Sequence, residues 1–315
     1  MALLIIGSDR AQEFHKTALA KSPGRDVRIW PDVGEAGDIK HALAWHPDPG
    51  VLKTFPNLET IVSVGAGGDH LFKDPDLPSV PIIRYIDPDL TGRMVEYVTL
   101  QTLYHTRRMS EYRAQQAQSR WQYLPEPAAH EVRVGIMGLG VLGTACARAL
   151  LSLGYQVRGW TRSPRDVDDV TCYAGQTELD PFLAETDILV VLLPFTPDTK
   201  GLINRGLLSK LSTTGRHTRM PGPVLINAGR GGVQVGDDIL ASLDAGELYA
   251  ASLDVFEVEP LPADSPFWAH ERVVITPHNA AESTPDSIVA YFLDHIARME
   301  NGEAMQNVVD RDPGN

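Results

Sequence analysis

Apolar and polar positions divide the chain into three parts. Over the first hundred residues, short apolar runs (LLIIGS, VRIWP, ALAWH, TIVSVGAG and PIIRYID) are separated by Pro, Gly and Asp and alternate with stretches able to be helical. Runs of this length bounded by turn formers suit strands buried on both faces, so this part predicts a small doubly wound α/β unit. From 90 to 121 the pattern becomes one long helical segment, closed by the proline-containing stretch YLPEPAAHE, and the crossover between domains is expected within it. A second α/β series follows: RVGIMGLG, QVRGWTR, DILVVLLP, PVLINAG, LYAASLDVF and RVVITPH, with helices between. Six strands make a full dinucleotide-binding sheet. After Pro285, DSIVAYFLDHIARMEN reads as a terminal helix.

The junction of the second series with its first helix carries the sharpest pattern. The strand VRVGIM runs into Gly138, Gly140 and Gly143 at G-x-G-x-x-G spacing, with Leu139, Val141 and Leu142 between them and the Ala-rich stretch TACARALLSLG behind. The first glycine permits a tight turn, the second lets backbone amides approach a pyrophosphate, and the third lets helix and strand pack closely. The amino end of the helix then faces the dianion. Spaced glycines also arise by chance in a chain with 27 of them, but here a strand precedes them and a helix and second strand follow.

One stretch departs from a compact plan. STTGRHTRMPG, 212–222, is longer than the usual connection of about 2–6 residues. It precedes its strand, so it belongs on the sheet edge opposite the ligand crevice. It reads as a flexible loop; Arg216, His217 and Arg219 offer a contact site that nothing else supports.

Composition narrows the class. With 315 residues, 43% hydrophobic and 22% charged, the chain has the content of a globular protein of about two domains. The longest apolar runs, such as ILVVLLPF at 188–195, are too short to span a bilayer. The opening MALLIIGS lacks the basic lead and cleavage site of a signal peptide and reads as a strand. A net charge of −13 argues against nucleic acid or an anionic membrane surface as partner. Cys146 and Cys172 lack metal-ligand spacing, so neither a disulfide framework nor a zinc site is expected, and a reducing cytoplasm fits.

A site specific for NAD usually places an acid at the end of the second strand, on the ribose 2′-hydroxyl. Here GWTRSPR puts Thr161 at that point, followed by Arg162, Ser163 and Arg165. No carboxylate opposes a 2′-phosphate, and two guanidinium groups can neutralise it, so NADP(H) is expected to be preferred, with NAD(H) still usable. The plainer alternative is that these arginines are solvated turn residues.

Three later segments bring candidate chemistry to the carboxyl edge of the second sheet: INAGRGG with Arg230, LDVFEVEPLP with Glu259 and TPHNAA with His278. Reduction of a 2-keto acid needs a cation to hold the carboxylate and polarise the ketone, and a proton donor for the oxygen. Arg230 suits the first task and His278 the second, with Glu259 beside it raising the imidazole pKa. Singly, each has a structural alternative: a turn arginine, a surface acid, a satisfied loop histidine. Their joint placement after consecutive strands favours chemistry.

Together these segments resemble the D-isomer-specific 2-hydroxyacid dehydrogenases, and among them the glyoxylate and hydroxypyruvate reductase A branch. The likeness spans nearly the whole chain: AWH at 44–46, SVGAGGD at 63–69, MVEYV at 94–98, GIMGLGVLG at 135–143, WTRS at 160–163, LPFTPDTKGLIN at 193–204, NAGRG at 227–231, DVFEVEPLP at 254–262 and PHNAA at 277–281. The loop at 212–222 departs from the family pattern. The resemblance implies a Rossmann dinucleotide-binding domain, 103–284, inserted into a smaller flavodoxin-like substrate domain, 1–102 with 285–315, on which the terminal helix packs. It implies that the amides of Ala66 and Gly67 bind the substrate carboxylate, where glycines after a strand expose amides to an anion. It also implies that Trp45 and Arg84 line the substrate pocket in a cleft between domains, and that Arg230, Glu259 and His278 are catalytic. Leu193, Pro194, Thr199, Ala228, Gly229 and Asp254 are implied to touch the cofactor, Asp254 near the carboxamide. A homodimer built through the long helical segment and the nucleotide domain is implied as well.

The expected activity is NADPH-dependent reduction of small 2-keto acids, glyoxylate and hydroxypyruvate foremost, to 2-hydroxy acids of D configuration where the product is chiral. Formate or phosphite oxidation on the same scaffold is disfavoured, because formate enzymes of the family pair the histidine with glutamine. A corepressor-like sensor that binds cofactor with little turnover is the reading from another class, since fold does not fix function.

Overall fold

A computed structural model describes residues 2–7, 10–64, 70–86 and 88–309. The chain divides into two compact units, Met1–Leu90 with Ser283–Asn315, and Thr91–Glu282. The division falls at the first turn of a helix, twelve residues before the expected crossover at 102/103.

In the first unit, β1 (Ala2–Ile6), β2 (Asp26–Ile29), β3 (Ile39–Ala44), β4 (Thr60–Ser63) and β5 (Ile82–Arg84) form a parallel sheet in the order β2-β1-β3-β4-β5. The period-two geometry of a strand sorts β1 onto two faces. Leu3 and Ile5 join Phe14 and Ala18 of helix α1 (Ala11–Lys21), while Leu4 and Ile6 join Leu52, Phe55 and Leu71. The terminal helix, α8, covers Pro285–Glu300. It starts where the Thr284 hydroxyl accepts the Ser287 amide at 3.2 Å and Pro285 takes the first helical position. Ile288, Val289, Phe292 and Ile296 then face the same cluster as Leu3 and Ile5, each contributing about 1.5–3 kcal/mol through burial.

In the second unit, helices α2 (Pro88–Thr106) and α3 (Met109–Ala117) precede the sheet. The predicted continuous helix over 90–121 is therefore broken and shorter. Arg108 adopts the left-handed region, φ 54°. The Thr106 hydroxyl donates back to the Thr102 carbonyl at 2.9 Å, and the Arg108 guanidinium turns to Glu111 at 2.9 Å. No glycine or proline announces this break, so the apolar period runs through it.

The sheet comprises β6 (Arg133–Met137), β7 (Gln156–Thr161), β8 (Thr171–Ala174), β9 (Ile188–Val191), β10 (Val224–Asn227), β11 (Ala250–Leu253) and β12 (Val273–Ile275). The order is β12-β11-β10-β9-β6-β7-β8, all parallel. Helices α4 (Val141–Ser152), α5 (Leu179–Ala184), α6 (Arg205–Leu208) and α7 (Gly236–Asp244) connect them. There are seven strands and not the six expected: β8, reading TCYA, is a half-exposed edge strand without an apolar run. Strand order reverses between β6 and β9, which puts the topological switch point beyond the carboxyl ends of those two strands.

The opposite edge holds the long loop. Arg133 donates to the Asp187 carboxylate from Nε at 2.9 Å and Nη2 at 2.6 Å, and the Ser212 hydroxyl donates to it at 2.5 Å. The loop is thus tied at its first residue to the amino ends of β6 and β9, with Met220 buried in the core. Two of its basic residues meet the segment that precedes β6: Arg219 reaches the Glu126 carbonyl and His217 stands 3.4 Å from Glu131.

Candidate active site

The turn after β6 closes as its spacing requires. Gly138 has φ +101° and its amide donates to the Trp160 carbonyl at 2.9 Å. A Cβ on Gly143 would stand 1.9 Å from the Gly138 carbonyl oxygen, so only glycine lets α4 begin this close to the strand. A Cβ on Gly140 would meet nothing within 4 Å. Open space over a turn at the amino end of a twelve-residue helix is a cradle for a diphosphate, and the residues present fit a dinucleotide. Leu139 is fully buried against Gly159 and Val141 is half exposed, while Leu142 packs on the core. Leu139 and Leu142 are therefore available to a ligand chiefly through their backbone.

At the end of β7, the Thr161 hydroxyl donates to the Ser163 carbonyl at 2.7 Å and folds the chain into a short turn. Arg162, Ser163 and Arg165 lie on this turn with exposed side chains. After β9, Leu193 is buried, and the Thr199 hydroxyl donates to the Pro194 carbonyl at 2.7 Å while accepting the Thr196 amide at 2.8 Å. These bonds shape the loop over which Ala228 and Gly229 pass: a Cβ on Gly229 would stand 2.8 Å from the Leu193 carbonyl oxygen.

Arg230, Asp254, Glu259 and His278 follow β10, β11 and β12. Behind Arg230, Asn227 donates to Gln234 at 2.7 Å and Gln234 to the Val255 carbonyl at 3.0 Å, knitting the loops after β10 and β11 together. The fit is tight enough that a Cβ on Gly231 would stand 1.8 Å from the Phe256 carbonyl oxygen. Asp254 is 2% exposed. Its carboxylate accepts the Thr276 hydroxyl at 2.6 Å and the amides of Asn279 and Ala280 at 3.0 Å, so it organises the turn that carries His278. His278 sits there in the left-handed region, φ 52°, with its amide on the Asp254 carbonyl at 2.8 Å. For a non-glycine residue that conformation persists only where its surroundings enforce it.

The His278 Nδ1 donates to Glu259 Oε2 at 2.7 Å, while Glu259 Oε1 accepts the Phe256 amide at 2.9 Å. The hydrogen bond to Glu259 raises the His278 pKa above its ordinary value; burial and the Arg230 charge oppose this, and Asp254 assists it. For Glu259, burial alone raises the pKa, but the bonds from His278 and the Phe256 amide and the charges of His278 and Arg230 prevail and lower it. The guanidinium, the imidazole and the carboxylate therefore act on one another at one edge of the sheet.

Residues 99–280 match the family described as D-isomer specific 2-hydroxyacid dehydrogenase, NAD binding domain. The chain belongs to the D-isomer-specific 2-hydroxyacid dehydrogenase family. It is 41% identical over 298 residues to the glyoxylate/hydroxypyruvate reductase A of Klebsiella pneumoniae (strain 342), covering 93% of this chain and 92% of that protein. Among solved structures it is similar to the NADPH-dependent glyoxylate/hydroxypyruvate reductase of Sinorhizobium meliloti in complex with NADP and sulfate, with 42% identity, full coverage of both chains and a TM-score of 0.91. It is also similar to a probable 2-hydroxyacid dehydrogenase of Rhizobium etli CFN 42 in complex with NADP, HEPES and L(+)-tartaric acid, with 41% identity, coverage of 100% and 99% of the two chains and a TM-score of 0.92.

In this family member the substrate residues expected from the first unit are only partly described. Ala66 and Gly67 lie outside the described residues. Trp45 is half-buried beyond β3, its ring centroid 4.7 Å from those of both His46 and His70. Arg84 ends β5 with its side chain exposed, and its carbonyl accepts the Tyr291 hydroxyl at 3.0 Å.

Sequence reasoning missed the supports of the site. The Tyr97 hydroxyl lies 2.9 Å from the Thr276 hydroxyl, which itself donates to Asp254. Burial pushes the Tyr97 phenol well above its usual range, keeping it protonated. Tyr97 lies within MVEYV and Thr276 within TPH, but no spacing rule pairs residues 179 apart.

Proposed function

We propose that this chain reduces small 2-keto acids, glyoxylate and hydroxypyruvate foremost, to glycolate and D-glycerate, using NADPH in preference to NADH. The 2.7 Å contact between His278 and Glu259 carries this conclusion, because a carboxylate there favours the protonated imidazole that can donate a proton at the carboxyl edge of a dinucleotide sheet. When bound, the reduced nicotinamide supplies the hydride. Residues 138–143 hold the diphosphate, Thr161, Arg162, Ser163 and Arg165 the 2′-phosphate, and Leu193, Pro194, Thr199, Ala228 and Gly229 the remainder. Asp254 fixes the turn bearing His278. Arg230 holds the substrate carboxylate and polarises the ketone, with Ala66, Gly67, Trp45 and Arg84 completing substrate binding. His278 gives the Nε2 proton to the ketone oxygen as charge builds there, and Glu259 stabilises the imidazolium before transfer.

We also propose a homodimer. Leu100, Met109, Trp121 and Tyr123 of the α2 and α3 region are exposed, Trp121 completely, which is unusual for large apolar side chains close together in sequence. No described helix is long and apolar enough to cross a membrane. Cys146 and Cys172 are both free, and a reducing cytoplasm is the location we propose.

A panel of glyoxylate, hydroxypyruvate, pyruvate and phenylpyruvate with NADPH and NADH tests the activity. Oxidation of NADPH by the first two is expected, and no oxidation with any acid overturns the proposal. His278→Ala is expected to lower kcat about 10²–10⁴-fold with cofactor affinity kept. Wild type that binds cofactor but does not turn over would favour a sensor instead.

A further inference from the structure

The loop at 162–165, proposed above to meet the 2′-phosphate, is held in an unusual way. Pro164 and Arg165 line a hollow of about 240 Å³ shared with Cys172, Ala174, Thr177 and Glu178. Val167, two residues beyond Arg165, packs in the core, and hydrogen bonds anchor the other end of the loop where it leaves β7.

Those bonds come from the turn that follows β8, the edge strand that the apolar pattern did not announce. The Trp160 indole Nε1 donates to the Gly175 carbonyl at 2.9 Å, and the Gly175 amide donates to the Thr161 carbonyl at 3.0 Å. Glu178 accepts the Ala174 amide at 2.5 Å, closing the turn that follows β8. Trp160 is 8% exposed. Its carbonyl meanwhile accepts the Gly138 amide, so one residue bonds the glycine turn through its backbone and the Gly175 turn through its side chain.

We infer that Trp160 and Glu178 are positioning residues that set the preference for a 2′-phosphorylated cofactor, by fixing the loop that carries Arg162 and Arg165. The inference rests on the NADPH reading above. Its physical basis is that a guanidinium contact with phosphate is short and directional, and weakens steeply when the cation shifts. Cations displaced with the loop lose their hold on the extra phosphate, whereas a cofactor without that phosphate loses nothing. Glu178 is itself an anion near this loop, so its effect on binding through charge must be separated from its effect through the Ala174 bond.

Calorimetric titration of NADP+ and NAD+ against wild type and three variants makes that separation. Trp160→Phe keeps a buried ring but removes the donor; Glu178→Ala removes the acceptor, and Glu178→Gln keeps an acceptor without charge. We expect Trp160→Phe and Glu178→Ala to weaken NADP+ binding about five- to twentyfold, the scale of one or two lost hydrogen bonds, with NAD+ within about twofold. Glu178→Gln is expected to restore wild-type NADP+ affinity or exceed it. If wild type binds NADP+ no better than NAD+, the cofactor reading fails and takes this inference with it. If wild type prefers NADP+ and the variants keep its ratio, or lose both ligands equally, the inference alone is overturned.

Discussion

At the scale of single residues, the proton-donor role proposed for His278 beside Glu259 predicts the pH behaviour. Its charge-assisted hydrogen bond holds the imidazole protonated above its ordinary range, so the reductive rate should persist to that higher pH and decline as His278 deprotonates. Glu259→Gln removes the carboxylate charge while keeping the shape, which lowers the His278 pKa. The falling alkaline limb of kcat/KM should therefore move to lower pH, with a smaller loss at the acidic end; an unshifted limb would separate Glu259 from the proton donor. The residue types at 230, 259 and 278 were legible because each lies in a short stretch just after an apolar run. The left-handed backbone of His278 and the inward carboxylate of Asp254 were not, since both follow from bonds to residues far along the chain.

At the scale of elements, the junction of β6 and α4 separates two uses of glycine. Gly143→Ala forces a Cβ to 1.9 Å from the Gly138 oxygen and is expected to cost about 1–3 kcal/mol or more, lowering Tm by about 2–4 °C per kcal/mol. Gly140→Ala places its Cβ in open space, so its Tm should match wild type while NADP+ affinity falls. Thermal melts with and without NADP+ distinguish them: a loss for Gly140→Ala equal to that of Gly143→Ala would contradict the open space over Gly140, and an undiminished NADP+-induced rise in its Tm would show that no ligand uses that space. The strand-turn-helix order around these glycines was readable because its determinants are contiguous. The end of α2 was not, because a hydroxyl folding back on the helix and one arginine turning to Glu111 leave no mark in apolar spacing.

At the scale of the whole molecule, the exposed Leu100, Met109, Trp121 and Tyr123 predict association. Light scattering should give twice the 34.5 kDa chain mass, and Trp121→Ala combined with Tyr123→Ala should shift the species toward the single chain. A monomeric wild type would leave that surface without its proposed partner. Two parallel sheets are separate folding layers, each sorted onto two faces by strand periodicity, and the second is additionally locked at its amino edge. There the Arg133 guanidinium, the Asp187 carboxylate and the Ser212 hydroxyl are buried together, so removing any one strands the others without partners.

Local order along the chain sufficed for the two α/β series, eleven of their twelve strands, the glycine turn and the three charged side chains after successive strands. Each is a pattern of neighbours, and a parallel sheet converts the position after a strand into a shared edge. The edge strand β8, the break after Thr106, the bonds around Trp160 and the relay from Tyr97 through Thr276 to Asp254 emerged from folding. They depend on which distant groups are left needing a hydrogen-bond partner once the core has closed, and linear spacing holds no record of that.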